Sequence, residues 1–187
     1  MGKLIGIILI MFMLLGCESA GIDTGKVPVN LESGSQEGDA SKQATPISEE
    51  ALQSMPSFET LNLDGKKVSS DDFKGKITII NFFNTWNADS TKEIDILGLL
   101  QKEYVNKGIE IVYISSNDKI EDIKKFGKEH PITSSHLLLD GDGKIGKLFK
   151  VDKIPTTYII NRDSAVVARY ARVIDKNEMK LVLDALQ

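Results

Sequence analysis

Apolar positions along this chain fall into blocks with two different periods. Ile77-Thr78-Ile79-Ile80-Asn81-Phe82-Phe83 is a nearly continuous apolar and β-branched run, the pattern of a central strand buried on both faces. A polar break over residues 84–90 follows, and then Ile94, Leu97, Leu100 and Tyr104 recur at helical spacing. The order is strand, tight loop, helix. In an open α/β sheet, the loop beyond the carboxyl end of such a strand is the usual place for chemistry.

The flanking blocks fit the same architecture. Residues 58–63 alternate, Asp64-Gly65 is a turn signal and Val68 follows, which predicts a small β-hairpin. Ser69 and Ser70 can cap a one-turn helix over residues 71–73 that Gly75 ends. Beyond the stop at Asn106-Lys107-Gly108, residues 109–115 read as a second buried strand. Residues 120–130, apolar at 120, 123 and 126, read as an amphipathic helix. Residues 136–140 form a short edge-like strand, and a brief helix runs on through Phe149. A proline-led strand from Thr156, a strand over 165–172 and a closing helix over 176–186 complete the pattern. Strand-helix-strand-helix alternation predicts one α/β domain over residues 56–187, with no internal repeat.

The amino-terminal part carries a different signal. Lys3 precedes an apolar stretch over residues 4–15, and Leu14-Leu15-Gly16-Cys17 resembles a bacterial lipobox. The apolar stretch is too short for a membrane span, and Gly6 stands where a myristoylation signal needs Ser or Thr. The resemblance implies a signal peptide over residues 1–16 and lipidation of Cys17. It also implies a bacterial cell-envelope location, lipid-anchored and facing the periplasm or extracytoplasmic space. Two or three acyl chains would hold the protein firmly at a bilayer. Residues 17–55, rich in Ser, Gly, Gln and Asp, read as a lipidated cysteine followed by a flexible tether.

Composition narrows the chemistry. With 23 basic and 27 acidic residues the net charge is −4. Lys124, Lys125 and Lys128 alternate with acids, as on a solvated helix face, so nucleic acid is not an expected partner. Cys17 is the sole cysteine in the sequence. No intrachain disulfide, CxxC redox couple or thiolate metal site can form from it, and no cofactor or metal is expected. Asp140 and Asp142 do not begin a calcium loop, because Lys144 and Val151 stand where further oxygen ligands belong. His130 and His136 supply no zinc pattern without a third ligand, and both are expected at the surface.

Two segments resemble the thioredoxin fold, a central mixed β-sheet flanked by helices, and in particular the TlpA/ResA type of extracytoplasmic thiol-disulfide oxidoreductase. The first is Lys76 to Glu93, where Trp86-Asn87-Ala88-Asp89-Ser90 stands in the place of Trp-Cys-x-x-Cys. The second is Lys153-Ile154-Pro155-Thr156-Thr157, where the family carries a cis proline, so the resemblance implies a cis Pro155 beside the loop of Trp86. Both cysteine positions are replaced, by Asn87 and Ser90. Asn87 is a favourable N-cap for the following helix, and Ser90 cannot take part in thiol-disulfide exchange. Glu93 stands at the position of a functional glutamate in the family. Without thiols to serve, it is expected to be an exposed first-turn carboxylate, favourable near a helix N-terminus. Asp95 replaces a helix-kinking proline, which predicts a straighter helix. Trp86 is either a recognition surface beside Pro155 or a half-buried support for the loop.

The function expected from these residues is non-catalytic: binding of an extended peptide or envelope protein in a groove formed by Trp86, Asn87, Ile154 and Pro155, with the membrane reached through the lipid anchor. No residue is assigned as catalytic. A serine nucleophile at Ser90 would need a base, and neither histidine is near it in sequence. The resemblance leaves two alternatives open. One is a thiol-disulfide oxidoreductase of the TlpA/ResA type, serving redox homeostasis or cytochrome c maturation. The other is a structural envelope lipoprotein.

Overall fold

The computed structural model describes residues 53–133 and 136–187; Cys17, the expected signal peptide and most of the expected tether lie outside the described residues. The elements run β1 (Glu59–Leu61), β2 (Lys67–Ser69), a 3-10 turn (Ser70–Phe73), β3 (Ile77–Phe83), α1 (Ala88–Tyr104), β4 (Ile109–Ser116) and α2 (Ile120–Glu129). They continue with β5 (Leu137–Asp140), α3 (Lys144–Leu148), β6 (Thr156–Ile160), β7 (Val166–Tyr170) and α4 (Lys176–Ala185). The main sheet has the order β5-β4-β3-β6-β7. β3 lies parallel to β4 and antiparallel to β6, β4 is parallel to β5, and β6 is antiparallel to β7.

β3 occupies the middle because every one of its residues is buried. Strand alternation sends Ile77, Ile79 and Phe83 to one face, where they join Ile94, Leu97 and Leu100 of α1, Phe126 of α2 and Met179 of α4. Ile80 and Phe82 go to the other face, with Phe58, Phe73, Phe149 and Tyr158. Phe149 is the hub of this second cluster, its ring centroid 6.0 Å from Phe58, 5.1 Å from Phe82 and 5.3 Å from Tyr158. Helix α3 is thereby clamped to the sheet face opposite α1.

β1 and β2 form a separate antiparallel pair. Their turn is stabilised by Asn62, whose Oδ1 accepts from the N–H groups of Asp64 and Lys66 at 3.1 and 2.9 Å. The chain is already hydrogen-bonded to the fold ahead of residue 56: Val166 N–H donates to the Gln53 carbonyl at 3.0 Å and Met55 N–H to that of Ser164 at 2.9 Å. α1 is one uninterrupted helix through Asp95. Gly98 on this helix is a contact position, since a Cβ there would stand 2.3 Å from Pro131 Cγ. Only a residue without a side chain lets α1 lie against that rigid ring. Among the described residues no helix is long and apolar enough to cross a membrane.

Candidate functional site

The site is built where β3 ends. Asn84 leaves the sheet with its side-chain amide donating to the Ser116 carbonyl of β4. Thr85 N–H donates to Asp118 Oδ2 at 2.9 Å, and the same oxygen accepts from Ser115 Oγ at 2.7 Å. The loop is thus held by the neighbouring strand end before α1 begins.

Asn87 starts the helix. Its Oδ1 accepts from the N–H groups of Asp89 and Ser90 at 2.9 and 3.0 Å, satisfying two donors that a helix N-terminus leaves open. Its Nδ2 faces the other way and donates to the Ile154 carbonyl at 3.5 Å, so one side chain ties the helix start to the segment from β6. The Ile154–Pro155 peptide bond is cis. Trp86, one residue ahead of the cap, is 76% exposed. The structure therefore presents Trp86 to solvent and leaves no half-buried supporting role for its ring.

Ser90 is 0% exposed, and its Oγ accepts from Asn84 N–H at 3.4 Å. The hydroxyl is spent on loop structure. The two histidines are half-buried rather than exposed. His130 stacks on Phe126 with centroids 4.1 Å apart and lies 3.2 Å from Asp95. His136 contacts Thr133 at 2.6 Å and Gln101 at 3.4 Å. Neither contacts Ser90, so no serine-histidine unit exists here. Among the described residues no group of three or more His, Cys, Asp or Glu could hold a metal ion.

Glu93 departs from expectation. It is not an exposed first-turn carboxylate but 0% exposed. Thr157 Oγ1 on β6 donates to its Oε1 at 2.6 Å, and Asn81 Nδ2 on β3 donates to Thr157 Oγ1 at 2.8 Å. Oε2 has no hydrogen-bond partner. The reason is tertiary. One turn into α1 the residue points down onto the sheet, where Asn81 interrupts the apolar row and supplies a polar landing. Burial pushes the Glu93 pKa up from an ordinary 4.5 to about 7, opposed by the Thr157 hydrogen bond and by the Arg172 charge.

Trp86, Asn87 and Ile154 line one cavity of about 720 Å³, with Asn84, Ser116 and Asn117 beside them. Pro155, expected in the groove, does not line this cavity because it is buried immediately ahead of β6. Asn84, Ser116, Asn117 and the buried pair Asn81 and Thr157 escape sequence reasoning. The lone Asn within the apolar run of β3 is the one local sign that a polar group lies above it. Trp86 also borders a smaller cavity of about 330 Å³ on its other flank, next to α2.

Comparison with known proteins fits this geometry. The chain matches the AhpC/TSA family over residues 51–169. It is 32% identical over 112 residues to the thiol-disulfide oxidoreductase ResA of Bacillus thuringiensis subsp. konkukian, covering 60% of this chain and 64% of that protein. The match thus spans under two thirds of that relative's length. It is 32% identical over 134 residues to the thioredoxin-like protein YneN of Bacillus subtilis, covering 71% of this chain and 78% of that one. A crystal structure of a putative thiol:disulfide interchange protein DsbE from Chlorobium tepidum superposes with a TM-score of 0.67 at 22% identity, covering 75% of this chain and 100% of that chain. The chain belongs to the AhpC/TSA family, as a TlpA/ResA-like thioredoxin-fold protein with a single cysteine in its sequence.

Proposed function

We propose that this chain is an extracytoplasmic, lipid-anchored binding protein that holds an extended segment of an envelope partner and performs no thiol-disulfide exchange of its own. The observation that carries this reading is the state of the loop after β3. An exposed Trp86 and a half-buried Ile154 flank a formed cavity, while Asn87 and Ser90 are fully engaged in capping and loop hydrogen bonds. An amide and a buried hydroxyl cannot carry electrons. Binding surfaces of this kind draw much of their affinity from an exposed aromatic anchor beside polar groups.

The test is reduction of a disulfide-bonded reporter protein by the full chain, beside the double substitution Asn87→Cys with Ser90→Cys. The parent should be inert and the double variant active, because a thiolate at the start of α1 gains from the free N–H groups and the helix dipole. Reduction by the parent would refute the non-catalytic reading in favour of a ResA-type oxidoreductase.

Membrane attachment rests on Cys17. The mass of the mature protein should show an N-terminal diacylated Cys17, and Cys17→Ala should release the protein from the membrane fraction. An unmodified Cys17 thiol would remove the anchor from the proposal.

A further inference from the structure

The cavity beside Trp86 has a charge pattern of its own. Two carboxylates and two ammonium groups line it, those of Asp142, Asp152, Lys147 and Lys153. The carboxylates are already neutralised by cations outside the cavity. Lys144 Nζ lies 2.6 Å from Asp142 Oδ2, and the Arg169 guanidinium pairs with Asp152. Lys144 holds the Asp142 carboxyl below the usual carboxylate range, and Arg169 does the same for Asp152, with Lys153 adding weakly. Lys147 and Lys153 make no ion pair of their own among the described residues. The lining itself thus holds two acids and two lysines, and with both acids paired outward and the buried Asp140 carboxylate beneath taken up by Ser116, Ile145 and Gly146, the two lysines are the lining charges left without an ion pair.

These two unpaired ammonium groups sit on a protein whose net charge is −4. The second cavity, across Trp86, has the opposite balance, with Asp122 and Glu129 against a single Lys125. The remaining polar lining of the larger cavity is Asn84, Asn87, Ser116 and Asn117; the first three are held by hydrogen bonds within the protein, so they shape the cavity more than they offer it free groups.

We propose that the segment held in this groove is acidic: an extended polypeptide that lays its backbone between Trp86 and Ile154 and places an Asp or Glu side chain in the cavity between Lys147 and Lys153. This rests on the binding function proposed above and adds the chemistry of the partner. A protein segment is favoured over an isolated anion because the two lysines are only part of the lining. The cavity also continues to an exposed indole and an apolar Ile154, surfaces that a bare phosphate leaves unused. Complementary charge around an aromatic anchor gives such a contact its direction and selectivity.

Trp86 is the one tryptophan in the sequence, so its fluorescence reports occupancy directly. The full chain is titrated with three synthetic peptides of equal length, one rich in Glu, one with those Glu replaced by Gln, and one with them replaced by Lys. The Glu peptide should change Trp86 emission saturably, more tightly than the others, with an affinity that falls as salt is raised. The double substitution Lys147→Glu with Lys153→Glu should weaken it by about tenfold or more. Both lysines are exposed, so this variant should keep the parent's thermal midpoint. Equal binding of the Gln peptide, unaffected by the lysine substitutions, would overturn the acidic preference and leave the peptide-binding function standing. Binding of no peptide would overturn both. Lysine-dependent binding of inorganic phosphate, or of vesicles of phosphatidylglycerol and phosphatidylcholine, without binding of the Glu peptide would show a phosphate site and refute the proposal.

Discussion

Glu93→Gln should stabilise the folded chain by about 3 kcal/mol at pH 8 and leave its stability nearly unchanged at pH 4. The carboxyl is fully buried, with a single hydrogen bond on Oε1 and nothing on Oε2. Its folded-state pKa of about 7 lies above the ordinary 4.5. A raised acid contributes its stability in full below the unfolded value and loses it as pH rises through the folded one. The parent should therefore weaken between about pH 4.5 and pH 7, and Gln, shaped like the neutral acid, should remove that slope. Urea unfolding midpoints across this range measure the effect. A parent whose stability stays flat from pH 4.5 to 8 would show that Glu93 ionises without penalty and that water reaches the polar pocket under α1.

The other large effect is expected on the opposite face of the sheet. Phe149→Ala should cost about 3 to 5 kcal/mol, since it removes a fully buried ring and leaves a cavity among aromatic neighbours that cannot collapse around it. Phe149 packs against Phe58, Phe82 and Tyr158, and its carbonyl accepts the Tyr158 hydroxyl. These contacts hold the end of α3, the helix that brings Gly146 and Lys147 to the cavity beside Trp86. Loss of stability should thus be accompanied by weaker binding of the Glu peptide under conditions where the variant is still folded. A cost under about 1 kcal/mol, with binding intact, would mean that α3 is held in place by something other than this ring.

What could be read from the sequence was whatever local pattern decides. A run of apolar residues with no polar face leaves β3 no place but the centre of the sheet. An Asn ahead of a periodic helix is an N-cap by its own chemistry, and Asn87 is one. Asp64-Gly65 makes the turn between β1 and β2 in the same way, with Gly65 at φ +77°. The site was less legible because its parts are joined across the sheet. Glu93 looks like a dipole-favoured surface acid at the start of α1, and that local preference is overridden by Asn81 and Thr157, 12 and 64 residues away in sequence. Lys147 and Lys153 look like ordinary solvent-facing lysines until α3 and the segment before β6 are set opposite Trp86. No periodicity records such a meeting.

The central position of β3 also has a consequence in time. Its partner β4 follows within about a single helix, but β6 joins it only through contacts such as Asn81 with Thr157, 76 residues apart. Closing so long a stretch is slow compared with forming the helix or turn at hand. A chain being synthesised from its amino end has its Trp86 loop long before Ile154 exists to face it. Until residues 156–160 are made and paired, one bank of the groove stands alone, so the groove is complete only on a nearly finished chain.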